Sequence, residues 1–166
     1  MLAFTSIVEI ETNRSWKITD EVQELSQLIA ERNPPIQETV ELSMRDDFFR
    51  RAIADLKSAL LFPSDTGFYC YRAVETTAQS FGSSTDQSKT PWTELNSALN
   101  LNRNFLNPVT KFSDTQRHGK WATMTAAERA EALKTAWIIL YRYSQFSMNG
   151  RVALPPSDFP ELSNPQ

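Results

Sequence analysis

The sequence predicts an all-α protein, a bundle of five or six helices with a small N-terminal β-hairpin or strand element. Three observations carry that reading. Residues 67–81 are apolar nearly all the way round and have one polar seam. Phe49, Ala52, Ile53, Leu56, Ala59 and Leu60 recur at helical spacing. Thr125-Ala-Ala-Glu128 has the form of a capping box at the head of a long periodic stretch, 126–148. A chain of 166 residues suits one domain able to bury its own core. Its expected parts are a strand element and first helices (1–45), a helical core (46–150) and an extended Pro-rich tail (151–166).

Residues 2–11 are rich in β-branched and apolar types and predict a strand. Thr12-Asn13-Arg14 would turn into a second strand through Trp16 and Ile18. A lone hairpin is marginal and needs a surface or another chain to pack on. Thr19 or Asp20 caps a first helix carrying Val22, Leu25, Leu28 and Ile29, which Asn33-Pro34-Pro35 stops. Pro35 then opens a helix with Ile36, Val40 and Met44 spaced four apart. Asp46-Asp47 either continues it or caps the next. Phe62-Pro63-Ser64-Asp65 reads as a turn ending in a helix cap.

In the central helix Cys70, Ala73, Val74, Thr77 and Phe81 share one side at about 100° per residue. Arg72, Glu75 and Gln79 lie opposite, beside Phe68, with Tyr69 and Tyr71 on the flanks. Charged groups on so apolar a helix need partners. The best candidates stand in Asp114-Thr-Gln-Arg117-His118-Gly119, with Glu75 expected to reach Arg117. Thr90-Pro91 pairs a cap with proline at the first helical position, and Trp92, Leu95, Leu99, Phe105 and Leu106 add apolar weight. Pro108 bends or restarts that segment. The last helix shows a stripe of Ala130, Leu133, Trp137, Leu140, Ser144 and Met148, widened by Ile139, Tyr143 and Phe146, and Asn149-Gly150 ends it. The tail, with Pro155, Pro156, Pro160 and Pro165, reads as an extended, partly ordered strap.

The net charge of −3 argues against a surface that coats nucleic acid generally, while leaving room for a local basic patch. The first ten residues lack a basic leader region and include Glu9, so no signal peptide is expected. Arg142 interrupts the longest apolar run, so no membrane span is expected and a cytoplasmic setting is. Cys70 is the only cysteine and His118 the only histidine, so one chain cannot assemble a His/Cys zinc site. Carboxylates such as Glu128 and Glu131 lack the paired Glu-x-x-His pattern of bundle metal sites. With four glycines there is no phosphate-cradling loop. Neither a metal nor a cofactor is expected.

What remains is 111–120, where Lys111, Arg117, His118 and Lys120 crowd into ten residues of an acidic protein. Histidine suits proton transfer near neutrality, and an adjacent arginine can grip phosphate. The structural alternative pairs Arg117 with Glu75 or Asp114, lets His118 cap a helix end and leaves Gly119 to make the turn.

Cys70-Tyr71-Arg72-Ala73-Val74-Glu75 followed by Asp114-Thr115-Gln116-Arg117-His118-Gly119 resembles bacterial HEPN-like helical domains (higher eukaryotes and prokaryotes nucleotide-binding). Those domains show Tyr-Arg-Ala-x-Glu and then Asp-x-x-Arg-His-Gly. The resemblance covers 46–148. It implies a four- to five-helix bundle, frequently dimeric, used as a metal-independent RNase in toxin or antiviral defence systems or as an inactive binding module. Catalytic members place an arginine four to six residues before the histidine, and here those positions are Lys111, Phe112 and Ser113. Lysine offers a point charge where arginine offers a planar fork.

What the resemblance implies first is a non-catalytic or weakly catalytic HEPN-like module that dimerises or binds a nucleotide, RNA or a protein partner in a bacterial defence or toxin-type system. Arg72, Glu75, Asp114 and Lys120 are the candidate binding residues. One alternative is an RNase with His118, Arg117 and Lys111 lining a cleft across a homodimer. The other is a structural subunit of a larger assembly.

Overall fold

The computed structural model describes residues 36–82, 90–111 and 124–163. The expected hairpin and first helix lie outside the described residues. The described chain is mostly helical, as the periodicity predicts, with a non-helical tail from 149 to 163. It comprises α1 (Ile36–Arg45), α2 (Asp47–Leu61), α3 (Thr66–Gln79), α4 (Pro91–Ala98), the single turn α5 (Asn107–Thr110) and α6 (Ala126–Met148). Short 3-10 turns at Pro63–Asp65 and Arg103–Leu106 precede α3 and α5.

Local chemistry sets most of the boundaries. Asp46 caps α2, its Oδ1 accepting the Phe49 N–H at 3.0 Å, so the Asp46-Asp47 pair starts a new helix. Thr90 caps α4 with Pro91 in the first turn. Thr125 and Glu128 complete both halves of a capping box at α6. Gly150, at φ +71°, supplies the left-handed residue that ends α6, and the Arg151 N–H closes back on the Phe146 carbonyl at 2.9 Å. Asp65 differs from expectation. It stands at the head of α3 without a side-chain cap bond, and its carboxylate accepts from Ser64 instead.

The core lies where α3 meets α2 and α6, and α3 also touches α4 and α5. The inward face of α3 is the expected one, with Cys70, Ala73, Val74 and Thr77 fully buried. Three other faces turn out differently. On α1 the buried residue is Leu42, while Val40 and Met44 are exposed. The Asp46 junction sets the roll of α1, because the Asp46 N–H still bonds the Leu42 carbonyl and the carboxylate reaches Tyr143 and Ser147 on α6 at 2.8 and 3.0 Å. On α2, Leu60 is exposed, one step round the helix from buried Ala59. On α6 the expected Leu140, Ser144, Ile139, Tyr143 and Phe146 are buried and Ala132 and Ala136 join them, whereas Ala130, Leu133, Trp137 and Met148 of the expected stripe are only half-buried. The two alanines are fully buried beside Ile139, Leu140 and Tyr143, where a small side chain leaves room for a facing helix.

The tail is not a loose strap. Leu154 is buried, and its N–H bonds the Ala98 carbonyl at 2.9 Å. Leu162 forms an isolated parallel bridge with Leu101. Asn100 makes the junction. Its φ of +51° terminates α4 in the left-handed conformation that asparagine tolerates. Its side-chain amide then donates to the Leu154 and Phe159 carbonyls at 2.7 and 3.0 Å. Arg142 of α6 completes the joint at 3% exposure. It donates to the carbonyls of Leu99 (2.7 Å), Asn100 (3.0 Å) and Pro160 (2.7 Å), and its guanidinium lies 5.7 Å from the Phe159 ring centre.

Replacing Arg142 by methionine keeps much of the bulk but takes the guanidinium donor from the Leu99 and Pro160 carbonyls, while the Asn100 carbonyl keeps the Leu162 N–H. Each buried acceptor left unpaired costs about 1–3 kcal/mol, so urea unfolding of Arg142→Met should show a loss of about 2 kcal/mol or more. A loss below about 1 kcal/mol would contradict the arrangement.

Candidate functional site

The α4 helix carries the first wall of a cleft. Leu95 and Leu99 are buried and anchor the helix. Trp92 and Asn96, four residues apart, fall on one of its faces. Trp92 stacks on Tyr71 of α3 with ring centres 6.1 Å apart and planes inclined at 27°. The Asn96 Oδ1 is buried without a hydrogen-bond partner. The second wall is 103–111, held down by Phe105, Leu106 and Val109, all buried. It presents Arg103, Thr110 and Lys111. Between the walls is a cleft of about 830 Å³.

Lys111 is also shared with a neighbouring cleft of about 570 Å³ lined by Pro108, Ala127, Glu128 and Glu131. Its Nζ donates to Glu128 Oε1 at 2.9 Å. The other oxygen of that carboxylate accepts the Thr125 N–H and hydroxyl, both at 3.0 Å. The Thr125 backbone bond, followed by the Lys111 bond, lowers the Glu128 pKa to about 2. The head of α6 and the end of α5 are thus clamped through one carboxylate.

Of the residues singled out from sequence, Arg72, Glu75 and Lys111 are described; Asp114, Arg117, His118 and Lys120 lie outside the described residues. So does the expected Glu75–Arg117 pair. Glu75 accepts the Tyr71 hydroxyl at 3.1 Å, which links it to the aromatic wall. Arg72 has a partner that the sequence did not suggest, and the partners expected for it in 114–119 lie outside the described residues. Its guanidinium lies 3.3 Å from Asp55 of α2 and 5.5 Å from the Phe68 ring centre, and its side chain is half-exposed. Burial pushes the Asp55 carboxyl up, against the pull of Arg72. Asp55 borders the apolar stripe of α2, a position from which a carboxylate meets a facing helix.

Cys70 is buried, and desolvation raises its thiol pKa to about 12, so it is an inert packing group. Trp92, Asn96 and Arg103 were not legible as site residues. Trp92 counts as core weight in any periodicity, and only its spacing from Asn96 hints at a shared face. Among the described residues no three His, Cys, Asp or Glu side chains gather as metal ligands. No described helix is long and apolar enough to cross a membrane.

The family described as "Domain of unknown function (DUF8168) C-terminal domain" matches residues 35–148. The chain belongs to this family. The match begins one residue before α1 and ends at the last residue of α6, so the DUF8168 C-terminal domain corresponds here to the helical bundle, with the docked tail beyond it. Neither a curated protein nor a solved structure matches the chain.

The clamp carries a definite pH signature. Glu128 has a depressed pKa, so its stabilisation is fully present above the usual 4.5 and is lost as pH falls towards about 2. Glu128→Gln should melt below the parent at pH 7, with the gap closing between pH 4.5 and 2. A gap unchanged down to pH 2 in thermal melts would show that the carboxylate is not the source.

Proposed function

We propose that this DUF8168 domain is a HEPN-like module that binds RNA or a nucleotide without cleaving it. The observation that carries the reading is the Lys111–Glu128 clamp. An RNase of the HEPN type needs an arginine fork in the region of 111–113, aimed at phosphate. In its place stands a lysine whose ammonium is 2.9 Å from a carboxylate that also caps α6. A cation so engaged adds to local charge without offering the bidentate grip that a pentavalent phosphate needs.

Binding is supported by the setting of that lysine, on the rim of a cleft that also holds Arg103, Trp92 and Tyr71. Cations and aromatic faces together are the usual equipment for single-stranded nucleic acid. A partner chain or homodimer belongs to the same reading, and the exposed row Leu60, Leu61 and Phe62 at the end of α2 supports it. The defence-type setting rests on the resemblance alone.

Incubation of the full chain with labelled single-stranded RNA in chelator tests both halves of the reading. Binding should appear at low salt and weaken as salt rises, since phosphate contacts release counterions, and the RNA should stay intact. Chelator-resistant cleavage that disappears in a folded His118→Ala variant would establish the RNase instead. Absence of binding at low salt would remove the nucleic-acid reading.

A further inference from the structure

The groove that holds the tail recognises it as a peptide is recognised. Arg142 is oriented by the groove itself, its Nη1 donating to the Leu99 and Asn100 carbonyls, while Nη2 donates to Pro160 of the tail. The tail answers mostly with its main chain. The Leu154 and Phe159 carbonyls accept from the Asn100 amide, and the Leu162 carbonyl accepts the Asn102 N–H. The Leu154 and Leu162 N–H groups donate to the Ala98 and Asn100 carbonyls. Leu154 is buried, and the Phe159 ring centre lies 5.7 Å from the Arg142 guanidinium and 6.5 Å from the Tyr141 ring. Main-chain bonds with a few side-chain anchors are the pattern by which a groove takes an extended segment of another chain.

The tail is joined to the bundle through a short tether. Arg151 still belongs to the bundle, its Nη2 donating to the Ser80 carbonyl at 2.8 Å and its guanidinium lying 5.2 Å from the Phe146 ring centre. Leu154 already belongs to the groove. Between them Val152 and Ala153 are exposed, non-helical and make no hydrogen bond among the described residues. Val152 is 66% exposed, an apolar β-branched residue in an extended segment. From Arg151 to Leu154 the tether reaches at most about 11 Å.

We propose that this groove takes the tail of a second copy, so that two chains exchange residues 154–163 and cross at Val152-Ala153. Every docking bond of the single chain is remade between chains, so the exchange itself costs no contact. The short tether forces the two α6 ends together, with the tethers running antiparallel across the two-fold axis. There the open main-chain groups of 152–153 pair and the two valines cover each other. A segment of an unrelated protein must match the spacing of Leu154 and Phe159, whereas a second copy carries that spacing by construction. The proposal is independent of the RNA-binding reading.

In its own chain the tail has an effective concentration of about 1 mM, so the choice of groove is made during folding at comparable protein concentrations. Sedimentation of the full chain, refolded from urea at about 1 mM and then diluted, should show a dimer that is missing after refolding at about 1 μM. An excess of synthetic peptide 152–163 present during refolding should suppress that dimer. Val152→Asp leaves every docking contact in place but sets two carboxylates against each other at the crossing. It should lose the dimer while its monomer melts like the parent.

A chain that is monomeric after refolding at either concentration overturns the proposal. A dimer that persists both with the peptide and in Val152→Asp overturns it too, and assigns association to another face, such as Leu60 to Phe62.

Discussion

A guanidinium placed where water hardly reaches it needs hydrogen-bond acceptors, and Arg142 gathers three carbonyls from two distant segments. Two belong to the turn that ends α4 and one to the tail. The alternative, a buried cation with free protons, is too costly to compete, so α6, the α4 turn and the tail are fixed together or not at all. Asn100 works from the other side of the same joint, with its carbonyl accepting from Arg142 and its amide donating to Leu154 and Phe159.

That joint bears on the cleft because the chain passes straight from one wall to the other through it. Trp92 and Asn96 precede the turn at 99–101; Arg103 and Lys111 follow it. The angle between α4 and 103–111 therefore depends on how Arg142 and the Leu101–Leu162 bridge hold the turn. The opposite edge is held by the Glu128 carboxylate, which joins Lys111 to the capping box. Two charged anchors, one buried and one exposed, thus frame a cleft built from otherwise ordinary packing. In an acidic chain this arrangement concentrates Arg103 and Lys111 on one rim, a local positive patch on a protein of net negative charge.

The features legible in the sequence were those decided by near neighbours. Thr90-Pro91 and Thr125–Glu128 act within one turn, and the structure has both caps where the residues predict them. The roll of each helix depends on the surface facing it, which no local pattern contains. Hence the spacing of Val40 and Met44 points to a face of α1 that is exposed while Leu42 is buried, and the periodicity of α6 marks Leu140 and Ser144 correctly but not Ala132 and Ala136. Arg142 reads in sequence as an interruption of an apolar run. Its acceptors lie 43, 42 and 18 positions away, so its role emerges only from the fold. Asp55 carries no local signal for the same reason, since its partner Arg72 belongs to another helix.

The central claim, that the tail and the α4 turn form one structural unit with the bundle, is tested most directly by native-state hydrogen exchange. The amides of Leu101, Asn102, Leu154 and Leu162 donate to Asn96, Leu162, Ala98 and Asn100 respectively. If the joint is as tight as its bonding implies, these four should exchange as slowly as the buried amides of α3 and α6, through global unfolding. Exchange of the Leu154 and Leu162 amides at the rate of an unstructured peptide, with α3 and α6 still protected, would contradict it.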